Sequence, residues 1–179
     1  MQRHELEHLI RASGAITGAD EIIVIGSQAI LGAVPHAPAS LLRSSEADVF
    51  TLRDPKDADL IDGSIGEGSP FHATFGYYAQ GVWLDTAVLP EGWMERCIEI
   101  RNENTRDVRA RCLDPHDLAV SKLVAGREKA IEFISEMIRH QLIQDATIHE
   151  RIRHLPDGLA DRALVIERWK RILRKATAH

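Results

Sequence analysis

Ile22-Ile23-Val24-Ile25-Gly26-Ser27 and, after a gap of 18 residues, Glu46-Ala47-Asp48-Val49-Phe50 decide how this chain folds. The first run is continuously apolar, the pattern of a strand buried on both faces. It stops at Gly26-Ser27, from which Gln28-Ala29-Ile30-Leu31-Gly32-Ala33 starts a short helix. The N-terminus of that helix presents unpaired backbone N–H groups, and Gly26 allows close approach of an anion. Ser27 suits either a helix cap or a phosphate contact, and capping alone is sufficient reason for a Ser there. The second run is a strand with carboxylates two residues apart. Strand side chains alternate, so Glu46 and Asp48 share a face. Two ionised carboxylates that close repel each other. A divalent cation is the usual offset, and oxygen-only ligands suit Mg²⁺. An edge strand with an acidic outer face gives the same spacing, so the pattern by itself leaves both readings open.

Working outward, the 179 residues suit one domain or one domain with an appendage. With 44% hydrophobic and 27% charged residues, the chain can bury a core. A formal net charge of −5 argues against bulk electrostatic binding of DNA, while leaving room for a local basic patch. No apolar run approaches the roughly 20 residues that span a bilayer. Met1-Gln2-Arg3-His4-Glu5-Leu6-Glu7 has no signal-peptide core. Cys97 and Cys112 suggest neither a disulfide framework nor a zinc site. A reduced, cytoplasmic protein is the resulting expectation. His4/His8 and His149/His154 lack partners at zinc-site spacing, and a solvated helix face accounts for the first pair.

The remaining elements follow from periodicity and punctuation. Residues 2–13 read as a helix stopped at Ser13-Gly14. Pro35 and Pro38 lie in a loop over 34–45, and the acidic strand covers about 46–52. Residues 54–59 enter a short helix, and Gly63, Gly66, Gly68 and Pro70 mark an irregular loop. The aromatic cluster Phe71 to Tyr78 fits core packing better than base stacking. Val82 to Leu89 reads as a third strand, which places Asp85 inside an apolar run. A carboxylate there needs a partner or a metal, so Asp85 joins the Glu46/Asp48 set. Residues 93–100 stay undecided between helix and strand, and 108–113 form a weaker strand. Asp114-Pro115-His116-Asp117 starts a helix that Gly126 stops. Further helices are expected from 127, over 145–154 and over 158–176. Strands first and helices after predict an α+β fold: a mixed β-sheet flanked by helices over 1–113, and a helical C-terminal portion over 114–179.

With Gly26-Ser27, Glu46-x-Asp48 and Asp85 in place, the chain resembles the DNA polymerase beta-like nucleotidyltransferase superfamily. More narrowly, it is similar to small bacterial nucleotidyltransferase-fold proteins related to abortive-infection and toxin–antitoxin nucleotidyltransferases. That likeness is carried by Ile25 to Ile30, Ser45 to Asp48, Ser69-Pro70-Phe71-His72, Leu113 to Ala119, and Ser121-Lys122-Leu123 through Arg127-Glu128-Lys129. It covers roughly residues 20–135. The resemblance implies that Glu46, Asp48 and Asp85 are the catalytic carboxylates and hold Mg²⁺ or Mn²⁺. It also implies that Gly26, Ser27, Lys122, Arg127 and Lys129 contact the triphosphate of a nucleoside triphosphate.

Three departures stand out. The gap before Glu46 is long, the first acid is Glu rather than Asp, and Ala130 stands where the related proteins often carry an acid. The implied reaction moves a nucleoside monophosphate onto a hydroxyl of tRNA or other RNA, a protein or a small molecule. The implied setting is a defence toxin with a cognate antitoxin. A nucleotidyltransferase fold that has lost catalysis, serving as a nucleotide-binding or protein-interaction module, is the alternative. Amphipathic C-terminal helices that bind a partner form a third.

Overall fold

The computed structural model describes residues 1–178. In chain order the elements are α1 (Arg3–Thr17), β1 (Glu21–Ile25), a 3-10 turn at Ser27–Ala29, α2 (Ile30–Ala33), a 3-10 turn at Ala39–Leu41 and β2 (Glu46–Phe50). Then come α3 (Asp57–Ile65), α4 (Pro70–Phe75), β3 (Tyr78–Gly81), a 3-10 turn at Leu84–Thr86, α5 (Trp93–Arg96) and β4 (Ile98–Ile100). A 3-10 turn at Glu103–Thr105, β5 (Arg109–Cys112), α6 (Pro115–Ala125), α7 (Glu128–Arg139), α8 (Asp145–Arg153) and α9 (Arg162–Thr177) complete the chain. The fold is α+β around a mixed sheet. The chain divides into two compact units, 1–86 with 97–113, and 87–96 with 114–179. No helix among the described residues is long and apolar enough to cross a membrane.

The first unit is built around β1. Ile22, Ile23 and Val24 are fully buried, as a strand covered on both faces requires. The sheet runs β3-β2-β1-β5-β4, with β1 antiparallel to β2 and parallel to β5. β2 and β3 are parallel, and β4 and β5 antiparallel. α1 buries Leu6, Leu9 and Ile10, each such side chain stabilising by about 1.5–3 kcal/mol. The helix does not stop at Ser13-Gly14. It continues to Thr17, and Gly14 lies inside it because a Cβ there would come within 2.7 Å of Val108. The glycine serves close packing rather than termination.

Two further sequence expectations are corrected. The expected loop through Gly63 is helical: α3 reaches Ile65 and α4 begins at Pro70, leaving only a short link. Ser69 caps α4 by accepting the His72 N–H (3.1 Å), with Pro70 at the first helical position. The third strand is residues 78–81, not 82–89. Pairing with β2 fixes it there, and Trp83 and Leu84 stay exposed.

The second unit is helical. Asp114 caps α6, accepting the His116 N–H at 2.8 Å, and the helix ends at Gly126 as its sequence predicts. α7 buries Ala130, Phe133, Ile134 and Met137, a spacing of i, i+3, i+4, i+7. Asp117 is fully buried and bound by two arginines. Arg96 approaches it bidentately at 2.8 and 3.0 Å, and Arg151 Nε lies 3.2 Å from Oδ1. Residues 87–96 thus contribute a guanidinium to the helical unit.

Candidate active site

β2 alternates as its sequence predicts: Ala47 and Val49 are fully buried, while Glu46 and Asp48 are half-buried on the opposite face. The antiparallel register sets Ile25 against Asp48, so the end of β1 delivers Gly26 directly to that carboxylate. Gly26 has φ 72° and ψ −169°, a backbone region essentially confined to glycine. A Cβ at Gly26 would stand 1.8 Å from Asp48 Oδ2, inside the carboxylate. Sterics and backbone conformation therefore demand glycine independently. Ser27, half-buried, opens the 3-10 turn that leads into α2.

The neighbouring strand completes the wall. Its register places Tyr78 opposite Glu46 and Gln80 opposite Asp48. The buried Tyr78 hydroxyl donates to Glu46 Oε2 at 2.9 Å. Burial first, and then the hydrogen bond and charge of Glu46, push the Tyr78 phenol up to about 12, so it remains a donor over the physiological range. The His72 ring tilts over Tyr78 at 4.6 Å between centroids. His72 Nδ1 accepts the Gly68 N–H at 3.1 Å, so a neutral His72 carries its proton on Nε2. Gln80 Nε2 donates to Asp62 Oδ2 (2.8 Å), whose Oδ1 accepts the Gly81 N–H (2.6 Å). Neither position opposite the acid pair carries a carboxylate.

Asp85 follows the neighbouring strand. It sits on the exposed 3-10 turn beyond β3, not within an apolar strand. Among the described residues no three His, Cys, Asp or Glu side chains are grouped to hold a metal. Two carboxylates still meet what Mg²⁺ takes from a protein in a phosphate-transfer site, because water and substrate phosphates fill the other positions. The donor chemistry of Glu46 and Asp48 fits that ion.

The basic residues expected at the triphosphate belong to the second unit. Lys122 is half-buried in α6 with its Nζ 4.6 Å from the centre of the Phe133 ring, a cation–π contact. Arg127 precedes α7 and Lys129 is in its first turn, both exposed. Ala130 is buried in the α7 core stripe, a position where an acid would be costly.

Three features escape a reading of the sequence. Tyr78 and Gln80 become visible only once β3 is paired, although their alternation with Ala79 and Gly81 is a faint strand signal. Gln28 is fully buried, and among the described residues neither atom of its amide has a hydrogen-bond partner. Its place in an apolar helix start gave no warning. His8, expected on a solvated face, instead hydrogen-bonds the Tyr77 hydroxyl (2.8 Å) and packs against Phe71 and Phe75. Phe75 stays 47% exposed, so this cluster is a surface feature rather than core.

Residues 4–170 match a protein-family model described as a nucleotidyltransferase of unknown function, DUF6036, and the chain belongs to that family. Comparison with curated proteins and with solved structures finds no match.

Proposed function

We propose that this member of the nucleotidyltransferase family transfers a nucleoside monophosphate from a triphosphate to a hydroxyl acceptor, with Glu46 and Asp48 holding Mg²⁺. The observation that carries the reading is the seating of the Asp48 carboxylate where a Gly26 side chain would be, at the mouth of a Gly-Ser turn. A carboxylate and a glycine turn meet there in close contact. The ion would neutralise charge on the phosphate oxygens and orient them for in-line attack. The chain's own groups do the rest. Asp48 and Glu46 would hold that ion, and Tyr78 orients Glu46 through its O–H. Gly26 lets the phosphate chain approach the backbone. The acceptor oxygen forms its bond to the α-phosphorus as the bond to pyrophosphate breaks. The hydroxyl proton leaves to a carboxylate or to water. Asp85, a catalytic carboxylate by resemblance, would have to act from its turn beyond β3. A defence toxin with an antitoxin is the setting that the resemblance alone suggests.

A second reading is favoured by the strand opposite: Tyr78 and Gln80 occupy the positions facing the acids, and Asp85 is outside the sheet. It makes the fold a nucleotide-binding module without turnover. Incubation with each α-labelled triphosphate, Mg²⁺ and either cell RNA or cell protein separates the two. Transfer by the wild type that Asp48→Asn abolishes supports catalysis. Transfer that Asp85→Asn leaves intact assigns the chemistry to two carboxylates. Triphosphate binding without transfer to any acceptor supports the module.

A further inference from the structure

α9 concentrates positive charge in an acidic protein. Six of its sixteen residues are Lys or Arg and one is Glu, within a chain of net charge −5. Its inward face is fixed by Val165, Trp169 and Ile172, all buried, and by the Trp169 Nε1–H donating to Asp145 Oδ1 at 2.6 Å. That anchoring decides which cations face outward. Two of the six have structural duties. Arg168 Nη1 donates to the carbonyls of Leu123 (2.9 Å) and Val124 (3.0 Å) at the end of α6, and Arg162 donates to Leu155 O and pairs with Asp157.

The other four, Lys170, Arg171, Arg174 and Lys175, are exposed, and among the described residues none is ion-paired with an acid. Arg174 Nε donates only to its own helix, at Lys170 O (3.3 Å). The helix dipole favours cations in the last turn, which accounts for Arg174 and Lys175 but not for Lys170 and Arg171. Lys170 with Arg174, and Arg171 with Lys175, are like charges at i,i+4 and destabilise the helix. Lys170, Arg171 and Arg174, with Leu164, Glu167 and Arg168, line a surface groove. Four exposed cations on one face, with Glu167 the one acid among the groove residues, present a surplus of positive charge to an external anion.

We infer that the outer face of α9 binds the phosphate backbone of single-stranded RNA. A membrane surface is a poorer match. Helices that lie on lipid insert an apolar face, and here Val165, Trp169 and Ile172 are spent inside the protein. Lys170 to Lys175 spans about 7.5 Å along the helix, and the long Lys and Arg side chains let the four cations reach successive phosphates of a strand laid along it. That the anion is RNA, which brings a terminal ribose hydroxyl as acceptor, rests on the nucleotidyl-transfer reading; the anion-binding face does not.

Fluorescence anisotropy with a labelled single-stranded RNA of mixed sequence, without Mg²⁺ or triphosphate, tests the assignment on the full chain. Four phosphate contacts give a slope of log K on log salt of about −3, hence roughly fifty-fold weaker binding at 200 mM than at 50 mM salt. Changing Lys170, Arg171, Arg174 and Lys175 together to Gln should bring that slope close to zero. Lys170→Arg with Lys175→Arg should preserve it, and an unchanged circular-dichroism melting curve in both variants confirms folding. Asp48→Asn should bind RNA like the wild type, so loss of transfer and loss of binding report separately. The proposal fails if RNA does not bind at 50 mM salt or if binding survives the fourfold change. Tighter binding of anionic vesicles or of single-stranded DNA of the same sequence overturns it as well.

Discussion

Asp117 and the Glu46/Asp48 pair are acids handled in opposite ways. Asp117 is fully buried, and the chain supplies its counter-charge in Arg96 and Arg151. Burial pushes its carboxyl above the usual range, opposed by both arginines. Glu46 is half-buried, accepts from the neutral Tyr78 hydroxyl, and lies beside a second carboxylate on the same strand face. A buried structural acid needs its cation built in, because removing one partner leaves an uncompensated charge. An acid pair that meets a diffusible metal is better served by neutral hydrogen bonds, which orient it without competing for the site. On the proposed reading, the contrast separates a structural carboxylate from a metal-binding pair by the partner rather than by the acid.

Breaking the comparison should give unequal losses. Asp117→Asn strands two arginines and should cost about 3–5 kcal/mol, read as a fall in denaturant midpoint. Asp48→Asn should leave that midpoint unchanged or raised while transfer falls by about 10²–10³-fold. Equal destabilisation by the two changes would erase the distinction. Gly26→Ala comes next: its backbone conformation alone should cost about 1–3 kcal/mol, and the displaced Asp48 carboxylate should carry transfer down with it.

Tyr78→Phe should be milder, raising the Mg²⁺ requirement of transfer by roughly 10–100-fold as the partner of the proposed metal ligand Glu46 is lost. It also has a pH signature. The phenol's folded pKa, about 12, lies above its ordinary value of 10.0. Its contribution is therefore intact below pH 10 and lost as pH rises toward 12. The wild type should lose stability across that window, and the Phe variant should not show this component in an alkaline denaturation series. Smallest is Gln28→Leu. An unpaired buried amide costs about 1–3 kcal/mol, so the variant should gain up to that amount of unfolding free energy and melt higher; a lower melting temperature would mean that Gln28 has a partner in solution.

How much of this was legible followed from the range of the interactions. β1, its Gly-Ser stop and the alternation of β2 depend on runs of five or six residues, and each can be read locally. The same holds for α6, which carries its cap at Asp114 and its stop at Gly126. β3 could not be read that way. Val82-Trp83-Leu84 has the stronger strand composition, yet hydrogen bonding to β2 selected Tyr78 to Gly81. The same displacement puts Asp85 on a turn after the strand instead of within it. α1 outran Ser13-Gly14 because the contact explaining Gly14 is with Val108, far along the chain. Charge segregation onto α9 was present in the sequence but hidden by the net value.

Arg96, one of the two arginines that neutralise Asp117, lies in residues 87–96, while the helix bearing Asp117 begins only at Pro115. Between them runs the segment that forms β4 and β5 of the sheet unit. During synthesis, Arg96 leaves the ribosome before its carboxylate exists, and the sheet can gain its last two strands before the helical unit closes. A fragment starting at Asp114 would carry Asp117 with Arg151 but without its bidentate partner. The C-terminal helices are therefore a unit in space without being a unit of sequence, and a boundary drawn by one cut would divide a salt bridge from its purpose.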